Sequence, residues 1–333
     1  SLHDALPISP WIISAGFGVP ADQSAMESQG HLAVADAGLV SERAIERGRD
    51  ELGTLGAGNH FLEVDYLESI YDAEYAAAFR LRENDIVVWI HTGSRGLGHQ
   101  VATDFINLFK KKMDQYKIPL YNQELAALPF KTSEGRQYFA AMSAAANYAW
   151  VNRQIITHQV RTAFEQVYPD LMAGQSIDLI YDVAHNIAKE EVHDGKKLLV
   201  HRKGGTRAFP AGHPELEVPF AQYGQPVLLP GDMKRGSYIL VGTGASMDET
   251  FGSTAHGAGR RLSRNEAVRR YQFEDISADM AQHHIRLFAA DKKVAREEAP
   301  GAYKDVDEVV GPIVHAGIAR PVARSRPLLV IKG

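Results

Sequence analysis

From Gly135 to Tyr168 the chain keeps an apolar period of about 3.6 residues and carries no further glycine or proline, so one long helix is expected there. The segments around it are short and differently patterned. Asp85 to Ile90 (DIVVWI) is a β-branched run that delivers His91 at its C-terminal end, and Ser176 to Val183 (SIDLIYDV) reads as a strand ending at His185. Lys196 to His201 (KKLLVH) returns after the turn His193-Asp194-Gly195. Pro226 to Leu229 and Ser237 to Val241 are short strands parted by a Pro230-Gly231 turn, and Leu328 to Ile331 makes a last strand. Helical patterns are expected from Ser41 to Gly48, capped by Ser41 and closed by Gly48, and over His99 to Met113, Arg264 to Arg270 and Ala278 to Ala290. Helices and strands alternate without a regular βαβ rhythm, and no repeat or linker interrupts them. The expected class is therefore α+β, a single large domain with mixed, mainly antiparallel sheets flanked by helices. Residues 1–13 are read as a non-native or disordered leader and residues 14–333 as the domain.

Composition narrows the setting. With 333 residues, of which 45% are hydrophobic and 23% charged, the chain can bury a sizeable core. No apolar run reaches the length of a membrane span and Ser1 to Pro10 does not read as a signal peptide, so no membrane partner and a cytoplasmic location are expected. The absence of cysteine excludes disulfides and thiolate ligands, leaving His, Asp and Glu as the strong donors for a divalent ion. A net charge of -5 gives no global case for a polyanion partner, so any such case is local. The basic clusters are Lys110-Lys111-Lys112, which reads as a solvated helix face, Lys196-Lys197 with His201-Arg202-Lys203, and Arg260-Arg261 with Arg264, Arg269 and Arg270.

Four histidines stand at turns or strand ends: His60 in GAGNH, His91 in HTGSRG, His185 in YDVAHN and His256 in STAHGAGR. One histidine after a strand is usually structural. Three drawn from distant parts of the chain, His60, His91 and His185, can together hold Mn, Zn or Fe, with Asn59, Glu63 and Asp182 to orient the rings. The turns Gly56-Ala57-Gly58 and Gly93-Ser94-Arg95-Gly96 can present backbone N–H groups to an anion, with Arg95 as a bidentate clamp. Neither has the P-loop or dinucleotide pattern, and no serine elbow or His-Glu-x-x-His helix occurs. His256 has two readings, the start of a helix after Ser253-Thr254, or a nucleophile neutral near pH 7. The set suggests a metal site beside a nucleotide pocket.

Taken together, LGTLGAGNHFLEV (52–64), HTGSRGLG (91–98), YDVAHNIAK (181–189), HRKGGTRA (201–208), GSTAHGAGRRLSR (252–264), AYKDVD (302–307) and the terminal Ile331-Lys332-Gly333 resemble the RtcB family of GTP-dependent RNA ligases. The resemblance runs from about residue 16 to the end of the chain. It implies a manganese enzyme that joins an RNA 3′-phosphate or 2′,3′-cyclic phosphate end to a 5′-hydroxyl end, in tRNA splicing or RNA repair. His256 matches the histidine that GTP guanylylates, and His60, His91 and His185 match the metal ligands. The guanylate pocket is implied at Asn59, Glu63, Ser237, Gly257, Ala258, Gly259, Tyr303 and Lys332. Glu63 and Lys332 would read the guanine edge. Arg95 and Arg264 match positions that hold RNA or triphosphate oxygens. RNA ends and GTP are the implied partners, together with an accessory activating protein.

Two departures from the family pattern stand out. An Asp-x-Gly-Cys-Gly segment, whose aspartate and cysteine bridge two manganese ions in the family, is not found here, and the chain is expected to be truncated on its N-terminal side with a weakened metal site. Asp232 stands where the family often has serine, and a carboxylate near a nucleotide phosphate is repulsive unless it turns away or meets a cation. The rival expectations are a metal-dependent phosphoesterase or nuclease built on the three histidines, and a non-catalytic nucleotide- or RNA-binding remnant.

Overall fold

The structure, a computed structural model, describes residues 11–122 and 125–333. Its contacts divide the chain into two compact units: the described residues up to Thr54 with Thr92–Asp178, and Leu55–His91 with Leu179–Gly333. No helix among the described residues is long and apolar enough to cross a membrane.

The first unit is helical, built on α1 (Glu42–Arg49), α2 (Arg95–Lys112) and α3 (Ser133–Val167). The long helix expected from the sequence is α3, 35 residues and so about 50 Å at ~1.5 Å per residue. Thr132 caps it by accepting from the Gly135 N–H, and Pro169 follows its end. Ala141, Ala144, Ala145 and Tyr148 of α3 pack on Leu97 and Val101 of α2 and on Ala44 and Ile45 of α1. The alanines keep these helices close.

Ser41 caps α1 as expected, its hydroxyl accepting from the Ala44 N–H. Gly48 does not close the helix. It lies buried inside it, because a β-carbon there would stand 2.8 Å from Leu97 and the helices could not approach. Helix α2 starts at Arg95 rather than His99, because Glu51 accepts the Gly96 N–H at 2.5 Å and satisfies an early donor of the helix. Farther along α3, Arg161 grips the buried Asp22 through two hydrogen bonds of 2.6 and 2.7 Å.

The second unit holds all the named strands: β1 (Phe61–Ile70), β2 (Ile86–His91), β3 (Asn186–His193), β4 (Lys196–Lys203), β5 (Gly205–Arg207), β6 (Pro226–Asp232), β7 (Gly236–Gly242), β8 (Ser253–Ala255), β9 (Arg286–Ala289) and β10 (Ala319–Lys332). The main sheet has the order β2-β1-β10-β7-β6, all antiparallel, with β9 parallel beside β10. Two further pairs, β3–β4 and β5–β8, are antiparallel. The α+β class with mainly antiparallel sheets is thus observed. Helices α4 (Arg264–Arg270), α5 (Phe273–Gln282), α6 (Lys292–Glu297) and α7 (Val306–His315) complete the part used below. Val306 and Val310 of α7 cluster with Val227, Leu229 and Leu240 of β6 and β7.

Several expectations need correction. Ser176 to Val183 forms no named strand: the Ile177 carbonyl accepts from Arg161 instead of a neighbouring strand, and β3 starts only after His185. The Pro230-Gly231 turn lies inside β6, and the chain reverses at Met233–Arg235, where the Asp232 carboxylate takes the Lys234 and Arg235 N–H groups. The helix expected over Ala278–Ala290 is shifted to Phe273–Gln282. It is stopped at His284, whose φ of +61° is left-handed, and Arg286–Ala289 becomes β9. Residues 1–10 of the expected leader lie outside the described residues. Residues 11–13 belong to a helical turn whose Ile12 is buried against Val151.

Candidate nucleotide and metal site

The four histidines come together in the second unit. His60 immediately precedes β1, His91 ends β2, His185 immediately precedes β3 and His256 immediately follows β8. His256 therefore does not start a helix, the blander of its two readings. Pairing of Phe61 with His91 across β1 and β2 brings the His60 and His91 rings to 5.9 Å between centroids. His91 and His185 face one another with Nε2 atoms 3.0 Å apart, and the His185 ring lies 4.4 Å from that of His256 at 31°. Burial, then the charges of His185 and His60, holds the His91 pKa well below its ordinary value. Burial likewise lowers that of His256, opposed by a hydrogen bond to the Gly204 backbone. Both rings are thereby kept neutral at pH 7, the state that leaves a nitrogen lone pair for a metal or a phosphorus atom.

The donor set fits a divalent ion in part. Two ligands at about 2.1 Å from one ion and at right angles to each other lie ~3.0 Å apart, the separation of the two Nε2 atoms. Without an ion, one of these rings must donate its N–H to the other. Among the described residues, however, no group of three His, Asp or Glu side chains is arranged to hold a metal on its own. His60 adjoins His91 without completing such a group.

Next to the histidines is a cavity of about 230 Å³, lined entirely by the second unit. His91 and His256 border it; His60 and His185 do not. Every residue of the expected guanylate set lines it: Asn59, Glu63, Ser237, Gly257, Ala258, Gly259, Tyr303 and Lys332. The sheet explains the convergence. Glu63 pairs with Val330 across β1 and β10, so Lys332, two residues on, reaches the same face diagonally. Both side chains are nearly fully buried. Burial and the neighbouring Asp65 push the Glu63 pKa well up, against the pull of Lys332, while burial lowers that of Lys332, against the pull of Glu298 and Glu63.

Glycines let the backbone close around the cavity. The Ala258 N–H donates to the Pro230 carbonyl, and a β-carbon on Gly257 would stand 3.2 Å from that oxygen. Gly259 has a φ of +73°. Ser237 is buried in β7, its hydroxyl accepting from the Gly231 N–H. Asp232 also borders the cavity, and its carboxylate meets a cation: it accepts from Arg235 at 2.8 Å and from two backbone N–H groups. Arg235 is the kind of cation that the sequence expectation asked of a carboxylate at this position.

Glu298 is a charged lining residue that the sequence reading missed. It immediately follows α6, in the charged run Arg-Glu-Glu, and no spacing marks it. In the structure its side chain is fully buried and accepts from Arg260 at 3.0 Å and from the Tyr303 hydroxyl. Arg264, the expected phosphate ligand, also lines the cavity; its Nε stands 3.7 Å from Glu298 and its side chain is 55% exposed.

Arg95 belongs to the first unit. Its guanidinium donates to Thr54 at 3.1 Å and stands 3.6 Å from Glu51, the same carboxylate that takes the Gly96 N–H. The anion at the Gly93–Gly96 turn is thus the protein's own. Each basic cluster is paired in part: Lys112 with Glu134, Lys197 with Glu190, Arg202 with the buried Glu191, and Arg261 with Glu308.

Comparison with known proteins identifies the family. The family described as tRNA-splicing ligase RtcB matches residues 7–333. The tRNA-splicing ligase RtcB of Thermococcus kodakarensis is 50% identical over 327 residues, 97% of this chain and 68% of that protein. The protein of the same name from Pyrococcus horikoshii is 50% identical over 328 residues, 97% of this chain and 38% of that protein. The one from Nanoarchaeum equitans is 49% identical over 328 residues, 97% of this chain and 68% of that protein. The chain thus spans about two thirds of the first and third relatives and under two fifths of the second.

Proposed function

The chain belongs to the RtcB family of tRNA-splicing ligases, and from that premise we propose that it carries the nucleotide-transfer centre of an RNA ligase that consumes GTP. The observation that supports this most is a cavity that has His256 on its wall and the buried Glu63 and Lys332 within it. A carboxyl group and an ammonium side by side match the donor and acceptor edge of guanine, while adenine offers an amino donor where Lys332 needs an acceptor.

In this reading the neutral His256 ring attacks the α-phosphorus of GTP. An N–P bond forms, the bond to the bridging oxygen breaks, and pyrophosphate leaves. An oxygen of the RNA 3′-phosphate then takes GMP from His256, and the 5′-hydroxyl of the second RNA end displaces GMP from the activated 3′-phosphate. His91 and His185, with His60 beside them, are the residues that would hold manganese, which supplies positive charge to phosphate oxygens. Asn59 and Gly257–Gly259 shape the wall on which the phosphate is turned toward His256. Arg95 and Arg264 serve RNA or triphosphate oxygens. RNA ends from splicing or breakage are the substrates, the cytoplasm is the setting, and an accessory activating protein fits the family pattern.

GTP labelled at the α-phosphate tests the reading. Covalent label is expected on the wild-type protein with manganese and its loss in His256→Ala. A phosphoesterase would release phosphate from both without label, and a binding remnant would retain GTP without forming the bond; either result rejects the proposal.

A further inference from the structure

Glu298 has no assigned role in the nucleotide reaction, yet its fully buried carboxylate organises one side of the cavity. Oxygen Oε2 accepts from the Tyr303 hydroxyl, and Oε1 accepts from Arg260 Nη1 at 3.0 Å. The same Arg260 nitrogen donates to the Tyr303 hydroxyl at 3.2 Å, and its guanidinium carbon lies 5.0 Å from the Tyr303 ring centroid. Arg260 also donates through Nε to the Leu262 carbonyl and through Nη2 to the Glu297 carbonyl. All three of its nitrogens are therefore engaged within the protein, and Arg260 serves as a brace. Arg264 is held differently. It shares oxygen Oε1 at 3.7 Å, beyond hydrogen-bond length, and its side chain is more than half exposed.

We propose that Glu298 is the positioning residue of the nucleotide cavity: it fixes Tyr303 and Arg260 as a rigid wall for the nucleoside and holds Arg264 loosely, so that this arginine can turn to a phosphate. The inference rests on reading the cavity as a GTP site. Its physical basis is the difference between a buried hydrogen-bonded pair, which strongly resists separation, and a partly exposed contact at 3.7 Å, which water can replace at little cost. A phosphate competes well for the second kind of arginine and poorly for the first. Glu298 thereby separates two tasks along one wall, a fixed surface for the nucleoside and a movable charge for the phosphates.

Binding to the intact protein tests this without relying on turnover. Guanosine and GTP are titrated calorimetrically into wild type, Glu298→Ala, Glu298→Gln, Tyr303→Phe and Arg264→Ala, with melting temperatures measured alongside. Glu298→Ala is expected to weaken guanosine at least thirtyfold, while Glu298→Gln, which can still accept from Tyr303, recovers most of that loss. Tyr303→Phe, which keeps the ring and removes only the hydroxyl, is expected to weaken guanosine three- to tenfold and provides the test if Glu298→Ala does not fold. Arg264→Ala is expected to leave guanosine within twofold and weaken GTP at least tenfold. Guanosine affinity unchanged in folded Glu298→Ala, or in Tyr303→Phe, overturns the proposal, as does an equal loss of guanosine and GTP in Arg264→Ala. If wild type itself binds neither ligand, the GTP reading of the cavity has failed and the inference falls with it, a result distinct from wild-type binding that the variants leave unaltered.

Discussion

Asp65 lies two residues beyond Glu63 on β1, on the same buried face of the strand, and has no exposed surface. It accepts from the Ser325 hydroxyl at 2.6 Å, and that hydroxyl accepts in turn from the Trp89 indole N–H. Among the described residues the other carboxyl oxygen has no hydrogen-bond partner. Burial pushes the Asp65 pKa from 3.8 to about 7, with the Ser325 hydrogen bond opposing. The sign follows from proton binding. Between about pH 4 and pH 7 the folded state keeps a proton that the unfolded state has released, so stability falls as pH rises through that window and levels off above it. At about 1.4 kcal/mol per pKa unit the loss amounts to a few kcal/mol. Asp65→Asn can still accept from Ser325 and cannot ionise. Its melting temperature relative to wild type should therefore climb between pH 5 and pH 8; a constant difference across that range would show that Asp65 does not titrate in this way. The buried pair Glu63 and Asp65 also explains why β1 escaped the sequence reading. Its inward positions Phe61, Glu63, Asp65 and Leu67 put two acidic residues between two apolar ones, which erases the polar-out signal of a half-buried strand.

Elements specified by their own residues were legible from the sequence, and those specified by contacts were not. The turn into β4 was legible, with Asp194 and Gly195 both at positive φ, +51° and +71°, as a tight two-residue turn demands, although the partner strand β3 was not expected. The Ser263 cap and the stretch Arg264–Arg270 form α4 with the expected bounds. By contrast, Ser176 to Val183 has a strand's composition but lends a carbonyl to Arg161 rather than to a neighbouring strand. Gly48 shows the same competition inside a helix. Alanine there would favour α1 by about 1 kcal/mol on propensity alone. Its β-carbon would meet Leu97, which is itself fully buried, and overpacking of that kind costs about 1–3 kcal/mol. Gly48→Ala is therefore expected to destabilise the protein by about 1 kcal/mol, measured by denaturant unfolding. A gain in stability would mean that α1 and α2 can separate without loss.

For the molecule as a whole, the residues expected at the site come from both units, a distribution no local pattern could display. The histidines were conspicuous in the sequence because glycines surround them, but their convergence depends on the pairing of β1 with β2 and on the placement of β3 and β8, contacts between residues far apart in the chain. Glu298 was invisible for the same reason: only the fold buries it against Arg260 and Tyr303. Every residue lining the cavity comes from the second unit, whereas Arg95 belongs to the first. Arg95 holds a left-handed φ of +52° and is steadied by Thr54 and Glu51. Such a conformation is costly for a residue with a β-carbon and persists where its surroundings enforce it. If Arg95 serves the RNA and not the nucleoside, its loss must separate the steps of the reaction. Arg95→Ala should leave GTP-dependent labelling of His256 within about twofold of wild type while slowing the joining of RNA ends tenfold or more, a barrier increase of about 1.4 kcal/mol. Parallel measurement of labelling and joining on one preparation decides the matter: equal losses in both would place Arg95 in the nucleotide step, and no loss in either would leave its strained backbone without a role in the reaction.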